Sequence, residues 1–128
     1  MIGWIKRHIK ERREAAAAKV AKKAAYEANL AIITLCQSLI KKNWNTATTK
    51  YLYPDIKDFA FDKLFTVGSV RFTFWRHIRA DLIRIFIGDK EIISYVDQEH
   101  QYPSLFRTHD WDINITLDEL NAALGEKR

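Results

Sequence analysis

The stretch Leu82-Ile83-Arg84-Ile85-Phe86-Ile87-Gly88-Asp89-Lys90-Glu91-Ile92-Ile93-Ser94-Tyr95-Val96 decides the fold class. Two runs of β-branched and aromatic residues flank Gly88-Asp89, a pair suited to a two-residue hairpin turn. With that turn, Ile87 pairs with Lys90 and Ile85 with Ile92. Strict alternation then puts Ile83, Ile85, Ile87, Ile92 and Val96 on one face, read as core. Arg84, Phe86, Glu91, Ile93 and Tyr95 fall on the other. That second face mixes aromatic and charged groups, so it is expected to stay partly uncovered.

Outward from this hairpin, Val70 to Trp75 alternates as well. Val70, Phe72 and Phe74 face one way, and Arg71, Thr73 and Trp75 the other. Residues 77–80 connect it to the hairpin. Further on, His109 to Ile115 reads as one more strand, with His109, Trp111, Ile113 and Ile115 on one side. The chain then turns helical at about 117–124. Thr116 is the N-cap, Glu119 completes a capping box, Ile115 and Leu120 form a hydrophobic staple, and Gly125 stops the helix. Before the sheet, Pro54-Asp55 resembles a helix start, and a short helix over 54–65 is expected there, with Phe59 and Phe61 also compatible with a strand.

Residues 4 to about 42 form the longest element, rich in Ala, Lys and Glu and free of Pro and of Gly. One stripe holds Ala17, Ala21, Ala24, Ala28, Ala31, Leu35 and Leu39, leading into Ile32, Leu35, Leu39 and Ile40 as core residues. Ile2, Ile5 and Ile9 form a separate, rotated stripe. The change of face predicts either a kink near residue 14 or a segment, 1–14, that projects from the domain. For the Ala stripe, packing against the chain's own domain is the preferred reading. The alternative is a self-association seam with another chain, made by Ala17, Ala21, Ala24, Ala28 and Ala31. The fold class is therefore α+β: a long N-terminal helix packed on a small antiparallel sheet, with a short C-terminal helix, in a single domain spanning 1–128.

Composition narrows function. The 128 residues are 48% hydrophobic, enough for one core without staples. Cys36 is the one cysteine, so no internal disulfide forms, and a reducing, cytoplasmic setting is expected. The sequence shows no secretory signal and no apolar run long enough to cross a membrane. The net charge of +5 is uneven. Residues 1–23 hold Lys6, Arg7, Lys10, Arg12, Arg13, Lys19, Lys22 and Lys23 against Glu11 and Glu14, a net of +6 that leaves the rest at −1.

Catalytic motifs are not found. His8, His77, His100 and His109 lack metal-ligand spacing, and no second cysteine accompanies Cys36. Asp97, Glu99 and His100, or Asp110 and Asp112, read as an acidic loop and a solvated strand, so no metal site is assigned. Cys36 sits among apolar residues and is expected to act as a small hydrophobe with a raised pKa. The four glycines permit neither a P-loop nor a dinucleotide fingerprint. The chain is accordingly expected to be a non-catalytic binding protein without cofactors. Its contacts with another protein, an acidic one or a second copy of itself, would run through the basic helix and through Arg84, Phe86 and Tyr95 on the sheet. A nucleic-acid reading places the same basic helix on phosphates. A third reading places residues 1–13 on an anionic membrane surface.

Overall fold

A computed structural model describes residues 2–77, 80–97 and 111–126. Helix α1 (Ile2–Asn43) leads into strands β1 (Thr48–Tyr51), β2 (Phe61–Val67), β3 (Val70–His77), β4 (Ala80–Ile87), β5 (Lys90–Asp97) and β6 (Trp111–Ile113), and α2 (Leu117–Leu124) closes the chain. The strands pair strictly in chain order into one six-stranded antiparallel meander, so the class is α+β with one long and one short helix.

The core lies on one face of this sheet. Phe72, Phe74, Ile83, Ile85, Ile93 and Tyr95 are buried beneath Ile32, Cys36 and Ile40 of α1 and Leu120 and Ala123 of α2. Rows of side chains run straight across the strands. Phe65, Phe72, Ile85, Ile93 and Ile113 are successive partners, and Phe65 stacks on Phe72 at 4.6 Å. At one end of the face the row turns polar. Arg76 donates two hydrogen bonds of 2.9 Å to the carboxylate of Asp81, which is 1% exposed. The guanidinium also lies over the rings of Phe61 and Phe74. The bidentate geometry offsets the cost of burying the carboxylate.

The hairpin at Gly88-Asp89 forms as the sequence implies, with Gly88 at φ +59 and Ile87 opposite Lys90. Beyond that point the register departs from strict alternation. A bulge between Ile85 and Phe86 pairs Ile85 with Ile93, not with Ile92. One extra residue on β5 inverts everything after it. Ile93 and Tyr95 therefore enter the core, at 0% and 2% exposure, while Val96 points outward at 48%. Ile92 is buried too, at the bulge itself.

The short helix expected over 54–65 is not present. Residues 52–60 are successive tight turns, with Ile56 N–H donating to Tyr53 O and Phe59 N–H to Ile56 O. Then β2 begins at Phe61. Its alternation of Phe61, Lys63, Phe65 and Val67 against Leu64 and Thr66 is a strand period that the mixed composition of the segment obscured. A second tight hairpin, Gly68-Ser69, joins β2 to β3. Gly68 has φ +58, and a Cβ there would run into the backbone of Ala123 and Leu124. Ser69 donates from both N–H and Oγ to Ala123 O, at 3.0 and 3.2 Å. This turn thus anchors the end of α2, whose Thr116–Glu119 capping box is fully formed.

Helix α1 is continuous, with no break near residue 14. Its buried side chains start only at Ile32. Residues 3–31 are exposed throughout, a free rod about 44 Å long at 1.5 Å per residue. The preferred reading of the Ala stripe is therefore overturned. The buried arc of Ile32, Cys36 and Ile40 lies roughly 120° around the helix from Ala17, Ala24 and Ala31. Followed toward the N-terminus, that arc meets Asn29, Ala25 and Lys22, and nothing there favours burial.

Two outcomes follow from this packing. Gly68→Ala is expected to cost about 2–3 kcal/mol, from a positive φ combined with a backbone clash, read as a lower chemical-denaturation midpoint. A chain lacking residues 1–14 should retain single-step thermal unfolding with its midpoint nearly unchanged; loss of cooperativity would show that the rod belongs to the folding unit.

Candidate functional site

Among the described residues three surfaces are exposed: the rod, the sheet face turned away from the helices, and a cluster in the turns before β2. On the rod, Lys6, Arg7, Lys10, Arg12, Arg13, Lys19, Lys22 and Lys23 are all exposed. They are distributed around the whole circumference, because their sequence spacings do not follow one helical period. Ala17, Ala21, Ala24, Ala28 and Ala31 are exposed beside them. Larger apolar groups are exposed as well, notably Trp4 at 69%, Ile5 at 51%, Ile9 at 46% and Val20 at 69%. Trp4 stacks parallel on His8 one turn later, at 5.5 Å. Lys23 and Glu27 form an exposed i,i+4 pair at 4.0 Å, a contact that adds little.

The open sheet face carries Arg84 and Phe86, as the alternation implied, but not Tyr95. The bulge in β5 turns Tyr95 inward, where its ring stacks on Trp111 at 4.7 Å. Tyr95 is thus a core residue and leaves the set of candidate contacts. Phe86 lies between two guanidinium groups, with Arg71 at 4.8 Å and Arg84 at 5.1 Å from its ring centre. Arg84 also donates to Glu91 at 2.6 and 3.0 Å, so its charge is largely matched within the chain.

Beside this cluster lies a shallow groove lined by Asp62, Leu64, Thr73, Trp75, Leu82 and Arg84. Leu64 and Trp75 are exposed at 41% and 37%, and Val96 extends the apolar surface. Trp75 stacks on His77 at 3.5 Å. Asp62 Oδ1 and His77 Nε2 are buried atoms without a hydrogen-bond partner among the described residues. Trp75 is legible from alternation. Leu64 is not, because Lys63 on the core side disguises the strand period of β2, and Val96 is not, because of the bulge.

A third exposed apolar cluster sits in the turns before β2. Tyr51, Leu52, Tyr53, Ile56 and Phe59 are exposed, with Tyr53 packed edge-on against Phe59 at 5.6 Å. Reading this segment as a helix concealed the cluster.

Two reactive groups have structural surroundings. Cys36 is fully buried, and burial pushes its thiol from 9.0 up to about 12. It is protonated and shielded at neutral pH, which removes thiolate chemistry. Lys63 points to the core side of β2. Its Nζ donates to Trp44 O and Thr49 Oγ1, both at 3.0 Å, and lies 4.9 Å from the Trp44 ring centre. Desolvation lowers its pKa. The ammonium ties β1 and β2 to the chain just beyond the C-terminus of α1, where the helix dipole also favours a cation. Of the acidic and histidine candidates, Glu99, His100, His109 and Asp110 lie outside the described residues, and His8 and His77 are far apart in sequence on different elements.

No protein-family model, curated protein or solved structure matches this chain.

The Cys36 environment predicts a specific pH effect. A thiol whose pKa is raised on folding contributes stability below pH 9.0, and this is lost as pH rises toward about 12. Alkaline titration of unfolding free energy should show that loss in the parent chain and not in Cys36→Ala. The substitution itself should cost roughly 1–2 kcal/mol at pH 7, as a small cavity in a packed core does.

Proposed function

We infer that this chain is a non-catalytic binding protein, an adaptor or inhibitor that acts by contact with other protein chains. The observation that carries this reading is the rod. A folded domain leaves residues 3–31 of an unbroken helix in solvent, with Val20, Leu30 and the Ala stripe uncovered. An Ala-lined flank permits close approach of a second helix, and a rod whose flank is uncovered by its own sheet offers it to another molecule. The open sheet face supplies a second contact surface. Its Arg71–Phe86–Arg84 stack and Trp75 are residue types enriched where binding energy concentrates.

The partner favoured by this arrangement is a second copy, joined along Ala17, Ala21, Ala24, Ala28 and Ala31, or an acidic protein drawn to the +6 charge of residues 1–23. A nucleic-acid reading uses the same cations, but their spread around the helix does not form a single phosphate-tracking face, and the sheet face pairs Arg84 with Glu91.

Sedimentation velocity over a concentration series tests the seam. The parent chain should associate, and Ala24→Glu should be monomeric with an unchanged circular-dichroism melt. An unchanged mass in the variant sinks the Ala seam. Fluorescence anisotropy of labelled DNA and RNA across a salt series tests the other reading. A steep salt slope that vanishes on removing residues 1–23 would move the chain to the nucleic-acid class.

A further inference from the structure

We propose that the tip of the rod, residues 2–13, is a footing for an anionic lipid surface. Averaged over its whole length, α1 has almost no apolar side. Its first three turns differ. Projected at about 100° per residue, Ile5 and Ile9 fall on one side, and the stacked pair Trp4–His8 flanks them. Lys6, Lys10 and Arg13 lie on the adjoining side, with Arg7 beyond them. Arg12 lies within the apolar arc at its inner end, where a long side chain can reach out past the apolar groups to the lipid headgroups. An apolar arc bearing Trp and Ile beside a basic arc is the arrangement of a helix lying in a bilayer interface.

The footing has a defined end. Along the same arc, Lys19, Lys23 and Glu27 follow Ala16, with Val20 the apolar group among them, so burial in lipid stops near the fourth turn. The apolar groups are available, since Trp4, Ile5 and Ile9 are all at least 46% exposed. Charge complementarity selects the lipid. Lys6, Arg7, Lys10, Arg12 and Arg13 against Glu11 give this tip a net charge of +4, and each basic residue near an anionic surface strengthens attachment by about fivefold. Neutral lipid would leave only a small apolar footprint to hold the tip. No helix among the described residues is long and apolar enough to cross a membrane, so the contact is at the surface. The inference does not depend on the Ala seam, which begins at residue 17.

Co-sedimentation of the full chain with vesicles decides it. The chain should pellet with phosphatidylglycerol–phosphatidylcholine vesicles and stay in solution with phosphatidylcholine alone. Lys6→Gln together with Lys10→Gln should weaken binding by about 25-fold, two charges at fivefold each. Ile5→Asp with Ile9→Asp should abolish it while the thermal melt is unchanged. No pelleting with anionic vesicles at low salt overturns the proposal. Full binding by the Ile5→Asp/Ile9→Asp chain also overturns it, because the arm would then be a polycation indifferent to the apolar interface. Ala24→Glu should bind vesicles like the parent, which separates this result from the fate of the self-association reading.

Discussion

The structure depends on how much helix one face of a small sheet can cover. Six strands at about 4.8 Å spacing make a surface roughly 25 Å across, and two helices share it. The C-terminal three turns of α1 take one part through Ile32, Cys36 and Ile40, and α2 takes the remainder through Leu120 and Ala123. Ahead of Ile32 the core-facing line of α1 changes to Asn29, Ala25 and Lys22, and burial ends there. The apolar pattern and the burial of the helix therefore stop together. Everything proposed for the rod follows from that coincidence.

A free helix of this length needs its own reasons to persist. Isolated helices are limited by nucleation, which fixes several residues for one hydrogen bond. Here the docked turns at Ile32–Ile40 serve as the nucleus, and the rod extends from a formed end. Residues 10–31 are dominated by Ala, Lys, Arg and Glu, which lose least on entering a helix. At the other end, Asn43 and Lys63 settle the groups just past the docked turns: Asn43 Nδ2 donates to Leu39 O, and Lys63 holds Trp44 O. The rod is thus held from its base, and its tip keeps its apolar and basic arcs because the helix that displays them is not interrupted.

The sequence was informative wherever local chemistry and tertiary context agreed. The Thr116–Glu119 box, the Gly88 turn and the alternation of β3 and β4 were legible because each rests on a short-range rule. Failures arose where one residue altered a period. The bulge on β5 exchanged the faces of Ile93 and Tyr95 with that of Val96, and no composition signal marks such a bulge. In β2, Lys63 occupies a core-facing position among Phe61 and Phe65, so the alternation looked broken. The structure shows why a lysine is tolerated there: a carbonyl, a hydroxyl and an indole face surround its ammonium. Of the candidate contacts, Arg84 and Phe86 were legible from alternation, and the exposure of the whole rod was not. Helical periodicity places residues relative to one another on a helix. It does not say which arc meets a sheet.

Charge distribution separates the rod from the open sheet face by role. Within the domain three cations are held locally: Arg76 by Asp81, Arg84 by Glu91, and Lys63 by a carbonyl, a hydroxyl and an indole face. A pair of this kind shapes a contact surface without projecting a field beyond about one Debye length. On the rod the opposite holds. Glu11, Glu14 and Glu27 are too few to neutralise its lysines and arginines, and the Lys23–Glu27 pair it makes among the described residues is long and exposed. Its field therefore extends into solvent at a distance from the core. A basic surface in that position governs encounter with an anionic or acidic target, whereas the Trp75 and Phe86 face, nearly neutral and partly apolar, is suited to hold a partner once it has arrived.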